Sequence, residues 1–210
     1  HLNIMKNNLA DGIIPVLLVI KSSCMRGTSN LQNLVLSTVN MTSGSLSVLG
    51  DIVKLTSCRI KSLILSDNRM DNAGGMKFFK AMEYNDTINE LIMYNCNITN
   101  DHSTLLYNML IANKGLMILN MYNNKIDNPI LIKKILSLVK GREDEASSGG
   151  THIKSLDISK NKAKIDSELL YPDLNKYDAE MIDISLNDIT VTEKFSKEAL
   201  RISKYTKLIF

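Results

Sequence analysis

The 210-residue chain has no tryptophan and only three cysteines, three histidines and three prolines. Each shortage excludes something. Cys24, Cys58 and Cys96 are odd in number and form no CxxC pair. A disulfide framework or a structural zinc site is therefore not expected, and free thiols suit a reducing compartment. His1 is terminal, and neither His102 nor His152 stands beside a cysteine or carboxylate at ligand spacing. Both are expected as solvent-facing polar residues. No phosphate-cradling G-x-x-x-x-G-K-[ST] or G-x-G-x-x-G loop occurs, and Gly74-Gly75 fits a strand-to-helix turn instead. No catalytic residue, metal ligand or cofactor is expected, and the chain reads as non-enzymatic.

Long apolar runs are missing too. The longest, Ile13 to Ile20, contains Pro15 and is far shorter than the roughly 20 residues that span a bilayer. No signal peptide is readable, and a start at His1 rather than Met points to a fragment of something longer. Nor does one sign of charge dominate. Lys plus Arg number 25 and Asp plus Glu 22, a net charge of +3, so neither a nucleic-acid nor a membrane partner is expected. Hydrophobic residues at 44% and charged residues at 22% are the proportions of a soluble folded domain. The expected setting is the cytoplasm, and the expected state a monomeric domain.

What the sequence does have is a repeat. Ile60-Lys-Ser-Leu63-Ile-Leu65-Ser-Asp-Asn68 has the form LxxLxLxxN. The pattern returns from Ile88 to Cys96, Leu116 to Asn124, Ile153 to Asn161 and Ala179 to Asn187, with fainter copies near Leu31 and Leu2. Leu63 to Leu91 and Leu91 to Leu119 are both 28 residues, and Leu34 to Leu63 is 29. The same shift of 28 superposes Met70 on Ile98, Phe78 on Leu106, Met82 on Leu110 and Asn85 on Asn113. Leu119 to Leu156 is 37 residues, with a polar Gly/Ser-rich loop insertion near 141–150. Leu156 to Ile182 is 26 and contains Pro172, so a short or irregular helix is expected there. Leu208 and Phe210 begin a further strand.

Each unit supplies one strand and one helix, which cannot bury a core alone; stacking parallel units makes a continuous one. The Asn that closes each strand can bond backbone groups in the turn, with Cys96 standing in for it on one rung. The expected architecture is α/β: a right-handed solenoid of about seven repeats, 26–29 residues each, in a single domain over residues 1–210. Helices are wider than strands, so the stack should curve with strands inside.

Asn68-Arg-Met70-Asp71-Asn-Ala-Gly74 and Asn85-Asp-Thr-Ile88-Asn-Glu-Leu91 resemble the turn and the helix-to-strand return of the ribonuclease-inhibitor-like class of leucine-rich repeats. The resemblance covers nearly the whole chain. It implies a horseshoe, usually intracellular, that binds proteins, and it does not say which. Ran GTPase-activating proteins and tropomodulin-like actin regulators carry similar repeats. A regulator of a small GTPase or of the actin cytoskeleton is thus an alternative, although the residues needed for the GTPase role cannot be matched one by one. Three N-x-[ST] sequons, at Asn40, Asn85 and Asn97, are read as incidental.

Alternation identifies the positions that face away from the core. The central column is Asn3, Val35, Ile64, Ile92, Asn120, Asp157 and Asp183. The next is Met5, Ser37, Ser66, Tyr94, Tyr122, Ser159 and Ser185, and the third Lys6, Thr38, Asp67, Asn95, Asn123, Lys160 and Leu186. Val35, Ile64, Ile92, Tyr94, Asn120, Tyr122, Asp157 and Asp183 are the candidate partner-binding residues: an apolar and aromatic centre with an acidic flank. The competing account is that Val and Ile merely favour strands and that the two tyrosines stack on each other.

Overall fold

The structure, a computed structural model, describes residues 1–70, 72–138, 153–166, 179–190 and 207–209. The insertion expected near 141–150, Pro172 and His152 lie outside the described residues.

Ten short strands are present: β1 (Leu2–Asn3), β2 (Asn33–Val35), β3 (Ser62–Ile64), β4 (Glu90–Ile92), β5 (Ile118–Asn120), β6 (Ser155–Asp157), β7 (Lys164–Asp166), β8 (Met181–Asp183), β9 (Asp188–Thr190) and β10 (Lys207–Ile209). Eight of them, β1 to β6 with β8 and β10, form one parallel sheet in chain order. Leu2, Leu34, Leu63, Leu91, Leu119, Leu156, Ile182 and Leu208 are successive Cα partners across it. The 37-residue interval therefore closes on the same register as the 28-residue ones. A slip of one residue would turn every apolar side chain to the wrong face, which is why the repeated leucine fixes the pairing.

Parallel neighbours need a crossover between them. Five crossovers carry helices: α1 (Ile14–Met25), α2 (Ser43–Val53), α3 (Asn72–Met82), α4 (Ser103–Ala112) and α5 (Pro129–Leu138). Each packs against the next. The run Ile13–Ile20 falls within α1 and its lead-in, and Pro15 occupies the first turn, where its missing N–H costs nothing. Thr42 caps α2 by accepting the Ser45 N–H at 3.1 Å, and Ser45 Oγ accepts the Thr42 N–H at 2.8 Å in return.

The core lies between sheet and helices. Leu34, Leu63, Leu91, Leu119 and Leu156 meet Leu46, Leu49, Phe78, Phe79, Leu106 and Met109 there, all essentially without exposure. Each such side chain contributes about 1.5–3 kcal/mol by leaving water.

Two expectations need correction. Gly74 and Gly75 lie inside α3 and are buried, not in a turn before it. A Cβ on Gly74 would fall 2.9 Å from Leu46 Cδ1 and from Ser43 Cα, so the glycine lets α3 approach α2. His102 is not solvent-facing but fully buried. It is the third residue of a capping box, with Nδ1 accepting the Thr99 N–H at 3.2 Å. Within the interval expected to hold a short or irregular helix, β7 pairs in parallel with β9. Residues 167–178 lie outside the described residues.

Two series of asparagines tie neighbouring repeats together. Asn68, Asn124, Asn161 and Asn187 each donate Nδ2 to a carbonyl of their own strand and one of the preceding repeat. Asn85 and Asn113 do the same service at the helix ends: Asn113 donates to Met82 O and Asn85 O and accepts the N–H of Gly115 and Leu116. Asn85 is buried with Nδ2 bonded to Val53 O at 2.8 Å, which withdraws that sequon from the surface.

Candidate functional site

The strand register sets the outward rows directly. Asn3, Val35, Ile64, Ile92, Asn120, Asp157, Asp183 and Ile209 are Cα partners in sequence, so all the candidate residues of the central column share one line. Adjacent members stand about 4.8 Å apart, the spacing of hydrogen-bonded strands. Ile64, Ile92, Asn120, Asp157 and Asp183 are half-buried. Val35 departs from the expectation of an open position: it is buried, with 9% of its surface exposed.

The polar members of this column are held by the backbone. Asn3, Asn120, Asp157 and Asp183 each accept, through Oδ1, the N–H two residues on, at 2.9–3.1 Å. Asp157 Oδ1 also accepts the Ser159 hydroxyl at 2.6 Å, and its Oδ2 accepts Asn120 Nδ2 at 2.9 Å. Val35, Ile64 and Ile92 offer no such acceptor. The column thus changes character between β4 and β5, from aliphatic to hydrogen-bonded polar.

In the second column Tyr94 and Tyr122 are half-buried, whereas Ser37, Ser66 and Ser159 are buried and offer little to a partner. The tyrosines do not stack: among the described residues the ring contacts are Phe78 with Phe79 and Phe79 with His102. Instead each tyrosine has a different charged neighbour. Burial, and after it the Asp67 carboxylate of the preceding repeat, raise the Tyr94 phenol above its ordinary pKa. The Lys160 ammonium of the following repeat lies 5.5 Å from the centre of the Tyr122 ring.

The third column turns out to be a turn position. Lys6, Thr38, Asp67, Asn95, Asn123, Lys160 and Leu186 all have φ between 53° and 61°. The N–H of each of the first six donates to the second-column carbonyl of the next repeat, for example Asp67 to Tyr94 O at 3.0 Å and Asn95 to Tyr122 O at 2.9 Å. Side chains here form a chain of their own: Asn123 Nδ2 donates to Asn95 Oδ1 at 3.1 Å, and Asn95 Nδ2 to Asp67 Oδ1 at 2.7 Å.

A further outward row was missed in the sequence. Asn33, Ser62, Glu90, Ile118, Ser155 and Met181 are Cα partners one residue before the regularly spaced apolar residues of the repeat. Ser62 Oγ donates to Glu90 Oε2 at 2.5 Å. Ile118 keeps 38% and the adjoining Met117 43% of their surface exposed, extending the apolar area around Ile92. The signal was available: alternation runs two residues back from the central column as well as forward.

Among the described residues no group of three or more His, Cys, Asp or Glu side chains could hold a metal ion, and no helix is long and apolar enough to cross a membrane. The cavities between helices are shallow surface clefts, of which the one between α2 and α3, about 160 Å³, is lined by Ser47, Gly50 and three lysines. Chemically, the sheet face can bury apolar side chains and accept hydrogen bonds or cations. No protein-family model matches the chain, and no curated protein matches it either, so its functional reading rests on its own residues.

Proposed function

We propose that this chain is a non-enzymatic protein-interaction scaffold: a right-handed leucine-rich-repeat solenoid curved as a horseshoe, which seats a partner on its concave strand face. The observation that carries the reading is the line Ile64, Ile92, Tyr94 and Tyr122. These are apolar and aromatic side chains, half-exposed on a backbone that every neighbouring repeat hydrogen-bonds in place. Interface energy concentrates in such anchors, and a rigid support lowers the ordering cost of binding. Val35 adjoins the centre on the same line, beside Ile64, and Asn120, Asp157 and Asp183 form its polar flank. Cys24, Cys58 and Cys96 are free and buried, which suits an intracellular setting.

The test is affinity capture from native lysate with mass spectrometry, followed by titration of the captured partner against a Tyr94→Ala/Tyr122→Ala double variant. At least a tenfold loss of affinity, with unchanged circular dichroism, is expected. Unchanged binding by a folded double variant overturns the reading.

A further inference from the structure

The strand face and the whole chain differ in sign of charge. The chain carries +3. Along the outward rows of the sheet, however, the described side chains set four acids, Asp67, Glu90, Asp157 and Asp183, against Lys6 and Lys160. Lys6 lies at the β1 end, and Lys160 is placed over Tyr122. None of the four carboxylates has a cation within ion-pair distance among the described residues; the ion pair found there, Lys21 with Asp51, lies on the helices.

Asp157 and Asp183 are the most exacting case. They are Cα partners on adjacent strands, so two like charges stand about 4.8 Å apart at the backbone. Their side chains are fixed in place by the Ser159 and Ser185 N–H groups. Those bonds occupy Oδ1 of each residue. Asp183 Oδ2 has no described donor, and Asp157 Oδ2 has the Asn120 amide alone. Structural need therefore explains both Oδ1 atoms and, at Asp157, the Oδ2 that receives Asn120; at Asp183 Asn would satisfy it equally, as Asn120 does with Tyr122. It does not explain why Asp183 is a carboxylate rather than an amide.

We propose that the occupant of this face is a basic, partly apolar polypeptide segment laid across the strands. This rests on the reading of the face as a protein-binding surface and adds the partner's chemistry. Its apolar side chains cover Ile64, Ile92, Ile118 and the tyrosines, and a pair of Arg or Lys side chains meets Asp157 and Asp183. Charge complementarity selects it: an acidic partner would be repelled by four carboxylates that have no ion-pair partner among the described residues. The strand spacing also serves as a ruler. From Ile92 on β4 to Asp157 on β6 is two steps, about 10 Å, and to Asp183 one step more, about 14 Å. An extended segment advances about 3.3 Å per residue, so its basic pair falls roughly three to four residues from its apolar anchor.

The probes are three fluorescein-labelled peptides, Leu-Tyr-Leu-Ser-Gly followed by Arg-Arg, Glu-Glu or Gly-Gly, read by fluorescence anisotropy at low and high salt. The Arg-Arg peptide is expected to bind at least tenfold tighter than the Glu-Glu peptide. The Asp157→Asn/Asp183→Asn variant, which keeps both Oδ1 acceptors and is checked for unchanged circular dichroism, should abolish that preference, as should high salt. Equal binding of the Arg-Arg and Glu-Glu peptides, or a preference untouched by the double Asn variant, overturns the basic partner while leaving the protein-binding reading intact. No binding by any peptide overturns the proposal as well; the Tyr94→Ala/Tyr122→Ala titration then decides the broader reading separately.

Discussion

Gly75 on α3 and His102 ahead of α4 are packed so closely that a Cβ on Gly75 would lie 2.6 Å from His102 Nε2. The imidazole is fully buried, edge-on to Phe79 at 5.8 Å, and its Nε2 has no hydrogen-bond partner among the described residues. Alanine has the higher helix propensity, worth about 1 kcal/mol at an unconstrained site. Here overpacking, at about 1–3 kcal/mol, outweighs it. Gly75→Ala is therefore expected to destabilise the protein by about 1–2 kcal/mol in urea denaturation. A double-mutant cycle with His102→Ala should return a coupling above about 1 kcal/mol, and additivity of the two changes would show that the contact is not the cause.

The closing position of the repeat makes a second contrast. Asn124 forms four bonds, three of them to the preceding repeat: Oδ1 accepts the N–H of Cys96 and Ile98 at 3.0 Å, and Nδ2 donates to Met93 O and, within its own repeat, to Met121 O, both at 2.9 Å. Asn124→Ala should cost at least about 3 kcal/mol, since buried backbone groups on both sides lose their partners. Cys96 has no amide, and the Met70 N–H turns to the Cys96 carbonyl at 2.9 Å instead; Val39 draws the Leu9 N–H to its carbonyl in the same way. Burial pushes the Cys96 thiol up to about 12 from 9.0. Its thiolate is disfavoured in the folded chain but forms freely in the unfolded one, so stability is intact below about pH 9 and falls as pH rises toward 12, by at most ~1.4 kcal/mol per unit. Burial raises Cys58 likewise. Cys96→Asn should be tolerated and should flatten the loss between pH 9 and 11 in alkaline unfolding; an unchanged slope sinks this account.

Thr38 holds φ at 56°, where Asn95 and Asn123 serve in the equivalent turns. A β-branched side chain is strained in that region and asparagine is not. Because Thr38 is exposed, little packing is at stake. Thr38→Asn is expected to raise stability by about 0.5–1 kcal/mol, read as a higher thermal midpoint. A lower midpoint would show that the hydroxyl or methyl has a role the turn geometry does not reveal.

The sequence alone determined the period, the register and the outward line through Val35, Ile64, Ile92, Asn120, Asp157 and Asp183. It could do so because side-chain alternation is a local property and each repeat contacts its nearest neighbours. It also located Asn68, Asn85, Asn113 and Asn124, whose bonds serve backbone groups at fixed offsets. Only the tertiary structure decided the rest. Gly74 and Gly75 are required by Leu46 and His102, which lie 28 and 27 residues away, not by any turn of their own. His102 is buried because a neighbouring helix covers it, while Tyr94 and Tyr122, alike in sequence, differ because Asp67 flanks one and Lys160 the other. Burial and charge at a position depend on what the adjoining repeat presents, and a repeat pattern, being the same in every unit, carries no record of that difference.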